Sequence, residues 1–204
     1  MFLHSPFSTE KVSKITSFLK TQSFATFVTI NEIGIPVASH LPVNLCPDDE
    51  SEYGKVITHL ARGNPHYSAL QENTEILIIY LSDNSYISPS FFKNKASAPT
   101  QAFTAVHIYG KAKVITDKTD LKKLMTKQVQ SREESMTKPW SMAELGDDGI
   151  QKRFNQIAGI EITIDRVEAN FHLLQDEETA NIEGILKNAN LSDNMKERIH
   201  NENK

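Results

Sequence analysis

Hydrophobic positions recur at helical spacing at the start of the chain and then switch to the alternating period of strands. Val12, Ile15, Phe18 and Leu19 predict a first helix over Glu10 to Lys20, with Ser8 or Thr9 placed to cap it. FATFVTI follows as a strand, NEIG as a turn and IPVASHLPVNL as a second strand. In that second run Ile35, Val37, Ser39, Leu41, Val43 and Leu45 share one face, while Pro36, Ala38, His40, Pro42 and Asn44 share the other. Two such runs joined by a short Asn and Gly turn predict a hairpin. Prolines cannot donate to a ladder, so the second strand is expected at a sheet edge, bulged or frayed, where its backbone N–H groups can serve a ligand.

GKVITHL predicts a third strand, and NPHYSALQEN a short helix with Asn64 as N-cap and Pro65 at the first helical position. EILIIYL is apolar on both faces and is expected to be a buried fourth strand. YISPSFFKNKASAPTQAF reads as a loop leading into FTAVHIYGKAKVIT, where Val106, Ile108, Gly110, Ala112 and Val114 face one way and Phe103, Ala105, His107, Tyr109 and Lys111 the other. An amphipathic helix carrying Leu121, Leu124, Met125, Gln128 and Val129 comes next, then a helical or looped stretch around PWSMAELGDDGIQKRFNQI, then a β pair, GIEITID and VEANFHLL. The tail holds two helix-like segments, ETANIEGILKNAN and SDNMKERIHNENK, and the second is so polar that it is expected as a surface or frayed helix. Six or seven strands with few helices between them favour a mostly β (α+β) fold, an antiparallel barrel with peripheral helices and a C-terminal helical tail, over a parallel α/β sheet. The expected organisation is one domain over 1–175 and a tail over 176–204.

Composition narrows the function classes. With 39% apolar and 24% charged residues in 204, the chain is an ordinary globular sequence, and no stretch approaches the roughly 18 apolar residues of a membrane span. The N-terminus lacks a basic flank followed by an apolar run, so the cytoplasm is the expected location. A net charge of −4 without any Lys and Arg block gives no footprint for nucleic acid. The single cysteine, Cys46, excludes an internal disulfide and Cys-pair metal motifs, and reads as a structurally incidental thiol.

The densest chemistry lies in VITHLARGNPHYSAL, where Thr58, His59, Arg62, Asn64 and His66 gather as a strand hands over to a helix. Three readings stay open: an anion cradle, in which unpaired helix N–H groups and an Arg fork hold a phosphate; a well-capped turn with no chemistry; or a metal or haem site shared among His40, His59, His66 and His107. No dinucleotide-binding glycine fingerprint or hydrolase nucleophile elbow is present. Tyr86, Phe91 and Phe92 in the aromatic loop either line a planar ligand or close the end of a barrel.

The ordered series SHLPV, HLARGNPHY, YISPSFF, APTQAF, AVHIYGKA and AGIEITIDRVEANFHLLQ resembles the PaiB-type flavin-binding family, whose members are often called negative transcriptional regulators. The resemblance covers about Met1 to Gln175 and implies a split β-barrel, similar to pyridoxamine-phosphate-oxidase-like proteins, that binds FMN at a homodimer interface. It makes Thr58, His59, Arg62 and Asn64, with His66 beside them, phosphate and ribityl candidates, and Ser39, His40 and Leu41 ring-edge candidates. It also implies a flavin-dependent oxidoreductase type of activity, for which no catalytic acid or base stands out. Two segments depart from the family pattern. Pro99-Thr100-Gln101-Ala102-Phe103 replaces Pro-Thr-Trp-Asn-Tyr, which leaves Gln101 as a further cofactor candidate, and His172-Leu173-Leu174-Gln175-Asp176-Glu177 replaces Lys-Leu-Ser-Gln-Asn-Arg. Glu177 would repel a phosphate if it faced one. The rival expectation is therefore a non-catalytic regulator or binding module that has lost or weakened its flavin, acting through DNA or a protein partner.

Overall fold

The computed structural model describes residues 1–70, 74–92 and 98–204. In chain order its elements are α1 (Val12–Thr21), β1 (Phe24–Ile30), β2 (Pro36–Pro42), β3 (Asn44–Cys46), β4 (Lys55–Ala61), α2 (Pro65–Ser68), β5 (Glu75–Leu81), β6 (Ser85–Ile87), β7 (Thr100–Ile115), α3 (Lys118–Glu133), α4 (Gly146–Phe154), β8 (Ile157–His172), α5 (Thr179–Asn188) and α6 (Asp193–Glu202). The chain divides into two compact units: a larger one of Lys11–Tyr80 and His107–Val167, and a smaller one of Met1–Glu10, Leu81–Val106 and Glu168–Lys204.

The larger unit carries the sheet, whose strands run β2-β1-β5-β7-β8-β4-β3. Its recorded pairings are antiparallel, and the predicted hairpin is present with Phe27 opposite Ser39 and Ala25 opposite Leu41. Gly34, at φ +81, makes the turn that a residue with a Cβ would resist. β2 is an edge strand, as its prolines require. The Thr58 hydroxyl on β4 nevertheless donates to the Pro42 carbonyl at the end of β2, 2.6 Å away, although four strands separate β2 from β4 in the sheet order. The sheet therefore curls until its two ends meet. Val56, Leu60, Ile76, Ile78, Ile108, Ile160 and Ile162 fill the inside, and α3 covers the outer face at β4 and β8, Ile57 included, with Leu121 and Leu124.

Several expected elements differ. The first helix begins at Val12, and its N-cap is Lys11 with no side-chain bond; Ser8 instead forms an isolated bridge to Asn170. IPVASHLPVNL breaks at Val43 into β2 and β3. EILIIYL alternates, with Ile76, Ile78 and Tyr80 buried and Glu75 and Leu81 exposed. The aromatic loop contains β6, paired with the start of β7, and a short 3-10 turn at Pro89–Phe91; its 93–97 segment lies outside the described residues, as does the predicted end of the second helix at 71–73. GIEITID and VEANFHLL are one continuous strand, β8, because the polar Arg166 is no turn residue here: its guanidinium lies 3.6 Å from the centre of the Tyr109 ring on β7. The described residues thus hold eight strands rather than six or seven.

In the smaller unit the polar last helix is neither frayed nor superficial. Met195 and Ile199, one turn apart, are fully buried, Arg198 pairs with Asp83 at 3.1 Å, and Asn203 donates to the Leu173 carbonyl at 2.8 Å. Two apolar residues on one stripe are enough to anchor it.

Candidate functional site

The free edge of β2 has only two donors. Asn31 N–H donates to the Ile35 carbonyl at 2.9 Å and Val43 N–H to the Ser23 carbonyl at 3.1 Å, so the odd-numbered positions between them are the ones bonded to β1. The even positions point their backbone groups outward, and of these Pro36 and Pro42 have no N–H. Ala38 and His40 are left as the two outward donors, bracketed by prolines that stop another strand from pairing along the whole edge. The His40 ring is exposed, sits 2.9 Å from the Thr26 hydroxyl and stacks on Phe24, while Leu41 is buried in the core.

The VITHLARGNPHYSAL segment ends β4 at Ala61, still paired with Ile157 on β8, and Arg62 N–H adds one more bond to the Gln156 carbonyl at 2.8 Å. Asn64 caps α2 as expected, its side-chain oxygen accepting from His66 N–H at 2.9 Å. Its amide donates to the Ser39 hydroxyl at 3.1 Å. Ser39 also meets His66 Nδ1 at 3.0 Å, and His66 Nε2 meets the Thr29 hydroxyl at 2.9 Å. Ser39, Asn64 and His66 thus form one network that clamps the β2 edge to the β4–α2 turn.

Arg62 is half-buried and held in place by Nε, which donates to the Ile157 carbonyl at 2.9 Å. Its Nη1 donates to the Tyr67 hydroxyl at 3.3 Å, with the guanidinium 5.8 Å from that ring. Among the described residues Nη2 has no hydrogen-bond partner. Beside it, Gly63 is exposed, and a Cβ built there would meet nothing within 4 Å. A positioned cation next to an open backbone is chemistry that suits a phosphate.

Thr58 and His59 do not join this group. Thr58 is fully buried on the Pro42 carbonyl, and His59 Nδ1 lies 2.7 Å from Gln128 Oε1. The Gln128 amide points to the Ile57 and Pro42 carbonyls at 3.3 and 3.4 Å. Gln128 is the residue that sequence reasoning assigned only to a helix face; the signal was a polar residue inside the stripe of Leu121, Leu124 and Met125. Gln101 belongs to the smaller unit, exposed and opposite Tyr86. Phe92 there is buried packing, whereas Tyr86 is exposed. Glu177 accepts from the Asn181 amide at 2.9 Å. Among the described residues no three metal-ligating side chains cluster, and His40, His59 and His66 bond to separate partners. Burial raises the pKa of the half-buried Cys46 thiol.

Burial lowers the pKa of His66 below its ordinary value of 6.5. Below that pH the unfolded chain takes up a proton that the folded chain refuses, so the stability contributed by neutral His66 is full above about pH 6.5 and is lost as pH falls toward the folded-state value. We expect urea midpoints to drop between pH 7.5 and 5.5 and His66→Gln to flatten that drop, with a limiting slope difference of about 1.4 kcal/mol per pH unit. Equal slopes for the two proteins would show that His66 charges freely in the fold.

A family model described as "Putative FMN-binding domain" matches residues 1–166. The chain belongs to this family. Among curated relatives, it is 28% identical over 176 residues to "Protease synthase and sporulation protein PAI 2" of Bacillus subtilis (strain 168), covering 86% of this chain and 83% of that one. Among solved structures, the FAD and heme binding protein from Mycobacterium smegmatis superposes with a TM-score of 0.61 at 13% identity, over 81% of this chain and 73% of that one. A general stress protein 26-related protein of the pyridoxinephosphate oxidase family, from Clostridium acetobutylicum, superposes at 0.50 with 14% identity, over 79% and 88%. These likenesses establish the split-barrel fold, and the family establishes FMN as the cofactor. The donor set fits it: one oriented guanidinium and an open glycine for an anion, and two adjacent backbone donors for a polar ring edge.

Proposed function

We propose that this chain holds FMN with the phosphate on Arg62 and the exposed backbone at Gly63, and the ring edge on the Ala38 and His40 N–H groups of β2. Ser39, Asn64 and His66 act as positioning residues through their shared network, and Thr58 and His59 brace the same strand ends from the other side. The observation that carries this reading is Arg62, fixed by the Ile157 carbonyl with its Nη2 uncommitted among the described residues. Bound there, the flavin supplies the redox chemistry, and the protein supplies orientation and electrostatics. The activity class is a flavin-dependent oxidoreductase, in the cytoplasm; among the described residues no helix is long and apolar enough to cross a membrane.

A homodimer completes the reading. Ile30, Ile33 and Ile35 at the turn end of the β1–β2 hairpin and Phe24 at the other end of β1 are 53 to 77% exposed, apolar surface on the element proposed to meet the flavin ring. A self-complementary contact of this patch around a two-fold axis would bury it beside the cofactor. Regulation without catalysis is the second reading, favoured by the name of the Bacillus relative, which refers to protease synthesis and sporulation.

An FMN titration followed by absorbance and fluorescence, with light scattering on the eluted protein, tests both parts. We expect saturable flavin binding and a particle of twice the 23.0 kDa chain mass, with Phe24→Glu reducing both. A colourless chain that ignores high micromolar FMN would leave the regulatory reading in place of the flavin one. A monomer that binds FMN fully would remove the dimer alone.

A further inference from the structure

A second cavity, of about 510 Å³, lies between α3 and the segment from Trp140 to α4, within the larger unit, and shares no lining residue with the proposed flavin site. Its floor is apolar, made by Val129, Met142 and Ile150, and continues into the buried cluster of Leu121 and Phe154. Trp140 forms an aromatic wall. Lys122 and Asp147 supply one charge of each sign to the lining, and neither takes part in an ion pair among the described residues. The wall segment is already in place: the Trp140 backbone N–H donates to the Glu133 carboxylate at 2.9 Å, and Ser141 and Glu144 close a capping box. A preformed pocket of this size with an apolar floor and charged groups at its mouth has the make-up of a small-molecule site.

We infer that this cavity binds a small zwitterion with an apolar body, an α-amino acid with an aromatic or branched side chain. The ligand carboxylate pairs with Lys122, the ammonium with Asp147, and the side chain covers Val129, Met142 and Ile150 against the indole. Lys122 and Asp147 are both exposed at the mouth of the cavity, and a ligand with a single charge would engage one of them where a zwitterion engages both. The pocket would then report amino-acid supply to a flavoprotein without competing for its cofactor site.

Trp140 is the single tryptophan of the chain, so indole fluorescence reads this cavity directly. Phenylalanine, leucine, phenylacetate and phenethylamine are titrated into FMN-saturated and FMN-free protein, with saturation-transfer NMR as a second detector. The two amino acids are expected to give saturable changes, and phenylacetate and phenethylamine to bind at least about tenfold more weakly. Ala143→Leu, which fills the cavity from its rim, is expected to abolish the response while leaving FMN affinity unchanged, and Asp147→Asn to weaken amino-acid binding about tenfold. Three outcomes overturn the proposal: no saturable signal by either method, equal binding of the singly charged analogues, or binding that survives Ala143→Leu. A ligand-free Trp140 shift that follows protein concentration and doubles the mass, lost in Ala143→Leu, would give the cavity to a second copy of the chain. Because the FMN-free protein is tested in parallel, failure here and failure of the flavin site are read separately.

Discussion

Arg62→Ala is expected to weaken FMN binding at least tenfold, a loss of about 1.4 kcal/mol, and a charge-assisted bond to a phosphate allows up to about twice that. The side chain also has a structural share, since it bonds the Ile157 carbonyl and lies against Tyr67. Removing it therefore costs about 1 kcal/mol of fold stability as well. Two companion variants separate these effects. Arg62→Lys keeps the charge and loses the fork, so its affinity should fall between wild type and Ala. Tyr67→Phe removes only the 3.3 Å contact and should leave FMN affinity near wild type. Raising salt should weaken the wild-type complex modestly and the alanine variant less. An Arg62→Ala protein that titrates like wild type would place the phosphate elsewhere.

Gly110→Ala should be a severely damaging conservative change in the larger unit. A Cβ on Gly110 would stand 2.2 Å from the Thr163 carbonyl oxygen and 2.8 Å from Ile162 Cγ2, where β7 crosses β8 at close approach. Backbone on the far side cannot rotate away as a side chain could. In an unhindered strand, glycine to alanine would be favourable by several tenths of a kcal/mol through the unfolded state. Here overpacking reverses the sign, and a loss of about 3 kcal/mol or more is expected, a large part of a typical domain stability of roughly 5 to 15 kcal/mol. Urea unfolding reads it directly, and Gly63→Ala, with open space around its Cβ, is the control expected to stay near wild type. A Gly110→Ala midpoint equal to that of the control would mean that β7 and β8 separate at no cost.

The local features of the site were legible in the sequence because each depends on neighbours in the chain. The hairpin follows from alternation and a Gly turn, the edge position of β2 from Pro36 and Pro42, and the α2 cap from Asn64-Pro65. Family motifs added the split barrel and FMN, since SHLPV and HLARGNPHY are specific as an ordered set. Other local signals misled. Arg166 fell between the two strands of the expected last β pair, and the polar SDNMKERIHNENK hid the i, i+4 pair Met195 and Ile199.

What the sequence by itself determined is the hairpin, the edge strand, the capped turn and the kind of ligand the chain is built around. Only the tertiary structure decided which donors are already in use. Thr58 and His59 face the Pro42 carbonyl and Gln128, Ser39 and His66 face each other and Thr29, and Arg62 alone of the candidate set keeps a charged group in reserve. The physical reason is distance along the chain. A cap or a turn is satisfied by residues two or three positions away, whereas Ser39 and His66 stand 27 residues apart and His59 and Gln128 69 apart. Such pairs meet only because the sheet curls, and no local pattern records where its ends will touch.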